Sequence, residues 1–122
     1  MPKTILIVED NELNMKLFND LLQAHGYETL QTKDGREAME MTEEYHPDLI
    51  LMDIQLPKIS GLEITRQIKQ KDDLKSIPVI AVTAFAMKGD EERIRDAGAS
   101  DYLAKPVSIG PFMRAVRGLL DD

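Results

Sequence analysis

Asp48-Leu49-Ile50-Leu51-Met52-Asp53 is the stretch that decides the architecture. Its four consecutive apolar residues are too few for a helix and too uniform for a strand with one wet face. They describe a strand covered on both sides, as in the middle of a parallel sheet, and that strand ends on a carboxylate, Asp53. Pro47 immediately before it breaks whatever helix precedes it.

Outward from this centre, short β-branched runs alternate with longer segments of helical period. Thr4-Ile5-Leu6-Ile7-Val8 is a second strand of the same kind. Asn11 is placed to cap a helix in which Leu13, Leu17, Leu21 and Phe18, Leu22 recur at four-residue spacing, and Gly26 ends it. Tyr27 to Thr32 is a weaker strand. Asp34-Gly35 turns into a helix carrying Ala38, Met39 and Met41 inward. After the central strand, Ser60 and Glu63 fit a capping box that opens a helix with Ile64 and Ile68 inward. Pro78 to Val82 is a fourth strand. Met87 to Ala97 is a largely charged helix ending at Gly98, and Asp101 to Ala104 is a fifth strand. Pro111 sits in the opening turn of a last helix with an apolar stripe of Phe112, Met113, Val116, Leu119 and Leu120. Strict alternation over 122 residues implies an α/β fold, one doubly wound domain spanning residues 1–122, with a parallel sheet and helices on both faces.

Composition bounds the function. With 15 basic and 22 acidic residues the net charge is −7, which opposes direct nucleic-acid binding. No apolar run approaches the ~20 residues of a membrane span, and Met1-Pro2-Lys3-Thr4 leads into a strand rather than a cleavable signal. A cytoplasmic protein is expected. The absence of cysteine removes disulfides, thiolate metal sites and thiol nucleophiles. His25 and His46 lie at helix ends, away from the strand exits.

Sheets of this kind bind ligands beyond the carboxyl ends of their strands. There the sequence puts Glu9-Asp10, Asp53, Thr83-Ala84 and Lys105-Pro106. Taken singly these are cap, turn and surface residues. Together, three carboxylates at one edge repel one another and call for a hard divalent cation, which takes oxygen ligands. A carboxylate can also attack phosphorus to form an aspartyl phosphate, and that transfer depends on positioning and neutralisation of the equatorial oxygens. Asp53 is the best-placed nucleophile, Asp10 with Glu9 the metal holder, and Lys105 and the Thr83 hydroxyl the neutralising groups.

Ile7-Val8-Glu9-Asp10-Asn11, Leu51-Met52-Asp53-Ile54-Gln55-Leu56-Pro57 with Gly61, Val82-Thr83-Ala84 and Tyr102-Leu103-Ala104-Lys105-Pro106 resemble the receiver domain of two-component response regulators. The resemblance spans essentially the whole chain. It implies a flavodoxin- or CheY-like (βα)5 sheet of order 2-1-3-4-5, with Asp53 as phosphoacceptor. Glu9, Asp10, Asp53 and the Gln55 backbone carbonyl would hold Mg2+ or Mn2+. Thr83 and Tyr102 would be switch residues, Lys105 and the Ala84 backbone phosphate contacts, and Lys105-Pro106 a cis peptide. Implied partners are histidine kinases, phosphotransfer proteins, phosphatases and a protein target, engaged by a monomer or weak dimer. The domain would catalyse only its own phosphorylation and slow dephosphorylation.

Val8 to Phe18 and Thr83 to Arg93 are most similar to DivK-type single-domain regulators of bacterial cell division, with recruitment to a cell pole by partners implied. No output domain is expected beyond Asp122, and output through protein contacts is expected on the face formed by Phe85 to Ala97 and Tyr102. Phe85 is also placed to shield an acyl phosphate from water. The competing reading is a phosphatase of the haloacid dehalogenase type. It requires a second aspartate two residues after the nucleophile, where this chain has Gln55.

Overall fold

A computed structural model describes residues 2–56, 59–84 and 88–120, with the side chains of 88–90 left aside. Elements alternate as β1 (Thr4–Val8), α1 (Glu12–Ala24), β2 (Glu28–Thr32), α2 (Gly35–Tyr45), β3 (Leu49–Asp53), α3 (Gly61–Lys69), β4 (Val79–Thr83), α4 (Lys88–Asp96), β5 (Asp101–Ala104) and α5 (Ile109–Leu120). The strands form one parallel sheet of order β2-β1-β3-β4-β5. β3 is therefore the middle strand, and all five of its residues are buried.

Period-two alternation along the strands assigns side chains to two cores. Ile5, Ile7, Leu49, Leu51, Ile80 and Val82 face α1 and α5, where the Phe18 and Phe112 rings stack with centroids 5.3 Å apart. Leu6, Val8, Ile50, Met52 and Val79 face α2 and α3. The helix ends follow their caps. The Asn11 side chain accepts from the Asn14 N–H, Asp34 from Arg36 and Ser60 from Leu62. Gly26 and Gly98 take the positive φ that closes a helix, while His25 and His46 are exposed helix caps.

Two local expectations fail. Leu13 and Leu17 are not core residues but 79% and 40% exposed, the inward stripe of α1 being Met15, Phe18 and Leu22. At ~100° per residue Leu13 lies about 170° from the mean direction of that stripe, because a strict four-residue repeat drifts around a 3.6-residue helix. The second is the capping box at α3, of which only the serine half forms. The Glu63 carboxylate turns to Arg66 Nη1 at 3.5 Å rather than back to the cap. No helix among the described residues is long and apolar enough to cross a membrane.

Candidate functional site

Three backbone hydrogen bonds tie neighbouring strand exits, β1 to β2, β3 to β4 and β5 to β4, before any side chain contributes. The Glu9 N–H donates to Thr32 O at 3.1 Å, the Ile54 N–H to Val82 O at 3.1 Å and the Lys105 N–H to Thr83 O at 2.8 Å. Into this edge β1 delivers Glu9, 1% exposed, and β3 delivers Asp53, 3% exposed. Lys105, on the turn after β5, extends back between them. Its Nζ lies 3.2 Å from Glu9 Oε1 and 3.2 Å from Asp53 Oδ2, and donates also to Glu9 Oε2 at 3.4 Å. One ammonium thus bridges two buried carboxylates. Each acid keeps one local backbone donor besides: Glu9 Oε2 accepts from Asn11 N–H at 3.0 Å, and Asp53 Oδ1 from Gln55 N–H at 2.9 Å.

The charge does not close. Two carboxylates against one ammonium leave a buried excess of negative charge, and Glu9 Oε1 has no aligned hydrogen bond despite its ion-pair distance to Nζ. Burial first of all, and then the neighbouring Asp53, push the Glu9 carboxyl above the ordinary carboxylate range, against the pull of the Asn11 N–H and Lys105. An orphaned, buried carboxylate oxygen in an all-oxygen donor set with surplus negative charge fits a hard divalent cation. Glu9 and Asp53 are the side chains that would hold it. Asp10 is different: its side chain is exposed, and among the described residues no three acidic or histidine side chains gather at one point.

A raised carboxyl pKa has a definite sign in stability. Ionised Glu9 disfavours the fold, so the parent loses stability as pH rises through the folded-state value and recovers it as pH falls towards the unfolded one. Without divalent metal, Glu9→Gln is expected to unfold at higher denaturant than the parent at neutral pH, the advantage fading on acidification. Denaturant melts across pH in the presence of a chelator check this. An advantage that grew towards acid would contradict it.

Around the carboxylates, Thr83 is fully buried at the end of β4, whose Val82 pairs in register with Asp53. The Ala84 N–H donates to Gln55 Oε1 at 3.0 Å, bridging the loops after β3 and β4. Gly61, the first residue of α3, lies so close under the end of β3 that a Cβ there would fall on the Asp53 carbonyl oxygen and 2.8 Å from Ile54 Cα. A cavity of about 150 Å3 between the two loops is lined by Ile54, Gln55, Ser60, Leu62, Thr83, Arg93 and Ile94. The Lys105–Pro106 peptide is cis.

Tyr102 is half-buried on β5. The Arg95 guanidinium stands 5.7 Å from its ring centroid. A hydrogen bond with the Glu91 carboxylate raises its hydroxyl pKa above the ordinary tyrosine value. Glu91 and Arg95 pair at 3.5 Å. In α4 the one buried residue among those whose side chains are described is Ile94, so the helix is held to the sheet by little apolar surface. Phe85 and Met87 lie outside the described residues.

Three exposed apolar side chains that the sequence reading left unassigned to any site are Leu13, Leu17 and Ile109, the last 56% exposed. α1 and α5 pack side by side on one face of the sheet and start just past Asp10 and Lys105, so the first turns of both flank the mouth of the acidic pocket. Phase counting along α1 is the signal that would have found Leu13.

Residues 5–117 match the family of response regulator receiver domains. A curated relative, the polar-differentiation response regulator DivK of Brucella anthropi, is 60% identical over all of this chain and 99% of its own length. A putative response regulator from Chloroflexus aurantiacus superposes with a TM-score of 0.95 at 30% identity, each chain covered completely. The receiver domain of the sensor histidine kinase PA1611 from Pseudomonas aeruginosa, solved with a magnesium ion coordinated in its active-site cleft, gives 0.91 at 35% identity, again over both whole chains. Nothing in these matches supports a dehalogenase-type phosphatase. A (βα)5 sheet of order 2-1-3-4-5 that carries its acids and lysine at the carboxyl edge, matched along its length, places this chain in the response-regulator receiver family, as a phosphorylation-dependent signalling switch.

Proposed function

We propose that Asp53 is the phosphoryl acceptor and that the donor is a phosphohistidine on a sensor kinase or phosphotransfer protein. One Asp53 carboxylate oxygen attacks phosphorus and the donor's P–N bond breaks. The histidine nitrogen leaves as a neutral imidazole once a proton reaches it, and an acyl phosphate remains. The observation that carries this reading is the pair of buried carboxylates, Glu9 and Asp53, sharing one lysine at the open edge of the sheet. Glu9, Asp10, Asp53 and the Gln55 carbonyl would hold a divalent cation, Mg2+ or Mn2+, which when bound would supply charge neutralisation at the phosphoryl oxygens. This chain's own part is to aim the Asp53 oxygen and to move Lys105 from two carboxylates to carboxylate plus phosphoryl. The Thr83 hydroxyl and the Ala84 N–H then receive the remaining oxygens. Water reverses the modification slowly, so the protein is a stoichiometric acceptor that catalyses only its own loading and unloading.

The exposed rim of Leu13, Leu17 and Ile109 suits a helical donor, which must bring its histidine over the pocket. Output belongs to α4 and Tyr102. Drawing Thr83 towards the phosphoryl group opens room for the Tyr102 ring, and α4 has few apolar anchors to resist the shift. The likeness to DivK supports a role in bacterial cell-division control, in the cytoplasm with recruitment to a cell pole, as a monomer or weak dimer.

The direct test is chemical. After phosphorylation by a histidine kinase, borohydride reduction of an acyl phosphate converts the acceptor aspartate to homoserine. Peptide mass spectrometry is expected to find that residue at position 53. Homoserine at position 10, or a phosphoryl group stable to hydroxylamine, would overturn the assignment.

A further inference from the structure

The Ala84 N–H, assigned above to a phosphoryl oxygen, is already engaged. Gln55 Oε1 accepts from it at 3.0 Å, although the two residues belong to different loops and lie 29 positions apart. The Gln55 backbone is fixed independently, its N–H donating to Asp53 Oδ1 at 2.9 Å. The side chain therefore leans from the acceptor's own turn across to the opposite loop and covers one of the donors that the acyl phosphate needs. Ile54 N–H to Val82 O, at 3.1 Å, holds the two loop bases together beneath this clasp. Beside it lies the cavity of about 150 Å3, whose polar lining is Gln55, Ser60, Thr83 and Arg93. That space is ample against the ~10–15 Å3 of such volume that one water needs, so a displaced amide has somewhere polar to go.

We propose that the Gln55 side-chain amide is an internal stand-in for the phosphoryl group, occupying the Ala84 N–H in the resting protein and expelled when Asp53 is loaded. Gln55 is then a positioning residue that opposes phosphorylation by competition. A ligand that needs a donor already in use binds with its affinity reduced by the fraction of molecules in which that donor is free. Once expelled, Gln55 no longer ties the loop after β3 to the loop that leads into α4. Loss of this tie is a route by which loading of Asp53 reaches that helix. The inference rests on Asp53 being the acceptor with Ala84 N–H among its donors.

The test uses beryllium trifluoride as a phosphoryl mimic, with magnesium present, titrated into the whole protein and followed by the amide resonance of Ala84. Gln55→Met keeps the side chain's length and removes the acceptor, and Gln55→Ala removes both. Both are expected to bind the mimic about 2- to 5-fold more tightly than the parent, the lower range for a neutral, exposed hydrogen bond. The Ala84 amide should differ between parent and variants in the resting state and converge when the mimic is bound. Tightening unaccompanied by any resting-state difference at Ala84 would overturn the clasp, as would equal or weaker binding by both variants to which the parent responds normally. A parent that binds no mimic, with Asp53→Asn indistinguishable from it, would instead remove the acceptor assignment on which the proposal stands.

Discussion

Lys105→Ala is expected to lower the stability of the metal-free protein at neutral pH by about 3 kcal/mol, the lower end of what removing one partner of a buried ion pair costs. Two carboxylates, 1% and 4% exposed at the side chain, would be left facing each other with no cation between them. The lower end applies because the lysine itself is 19% exposed and because Glu9, already pushed up by burial and Asp53, readily takes a proton. The deficit should therefore shrink as pH falls. It should also shrink on adding millimolar magnesium, since a divalent ion replaces the missing positive charge, and a larger fractional rescue than in the parent is the distinguishing sign. Urea melts of both proteins, with chelator or with magnesium, measure all three effects. A variant as stable as the parent in chelator would mean that the lysine is not neutralising buried charge.

Gly61→Ala is expected to be as damaging for a different reason. The added methyl would fall on backbone, the Asp53 carbonyl oxygen and Ile54 Cα, not on a side chain that could turn away. Over-packing of this kind costs about 1–3 kcal/mol or more, and here α3 or the end of β3 must shift. Because β3 carries Asp53, phosphorylation should suffer beyond the loss of stability: a misplacement of about 1 Å at a reacting group lowers rate by on the order of 100-fold. Gly118→Ala is the control. It lies in α5 with nothing within 4 Å of its added methyl, and replacing a helical glycine by alanine should stabilise by about 0.5–1 kcal/mol. Comparing unfolding midpoints and initial rates of acetyl-phosphate labelling in the two variants separates a backbone clash from a generic glycine effect. A Gly61→Ala protein with parental stability and rate would refute the close-packing argument.

How far the sequence carried follows from the range of each interaction. β3 was legible because a run buried on both faces needs no information from elsewhere in the chain. The exits followed from it: once the strands are parallel and ordered, Glu9, Asp53, Thr83 and Lys105 must come to one edge. Contacts whose geometry depends on exact side-chain direction were not legible. Asp10 is adjacent to Glu9 in sequence yet is exposed where Glu9 is buried, a difference that adjacency does not encode. Glu63 satisfied a capping pattern but found Arg66 nearer. Leu13 and Leu17 matched a four-residue repeat that α1, turning every 3.6 residues, carries out of the core. The bridging of both carboxylates by Lys105 and the reach of Gln55 to Ala84 join residues 96, 52 and 29 positions apart, and no local pattern encodes such pairings.

The claim beneath all of this is that a buried, under-neutralised pair of carboxylates lets Asp53 capture phosphorus when a divalent cation is present. Intact-mass measurement after incubation with acetyl phosphate addresses it directly, with the parent and Asp53→Asn each run in magnesium and in chelator. The parent should gain the mass of one phosphoryl group in magnesium and essentially none in chelator, and Asp53→Asn should gain none in either. Labelling of the parent at equal rates with and without magnesium, or undiminished labelling of Asp53→Asn, would contradict the account.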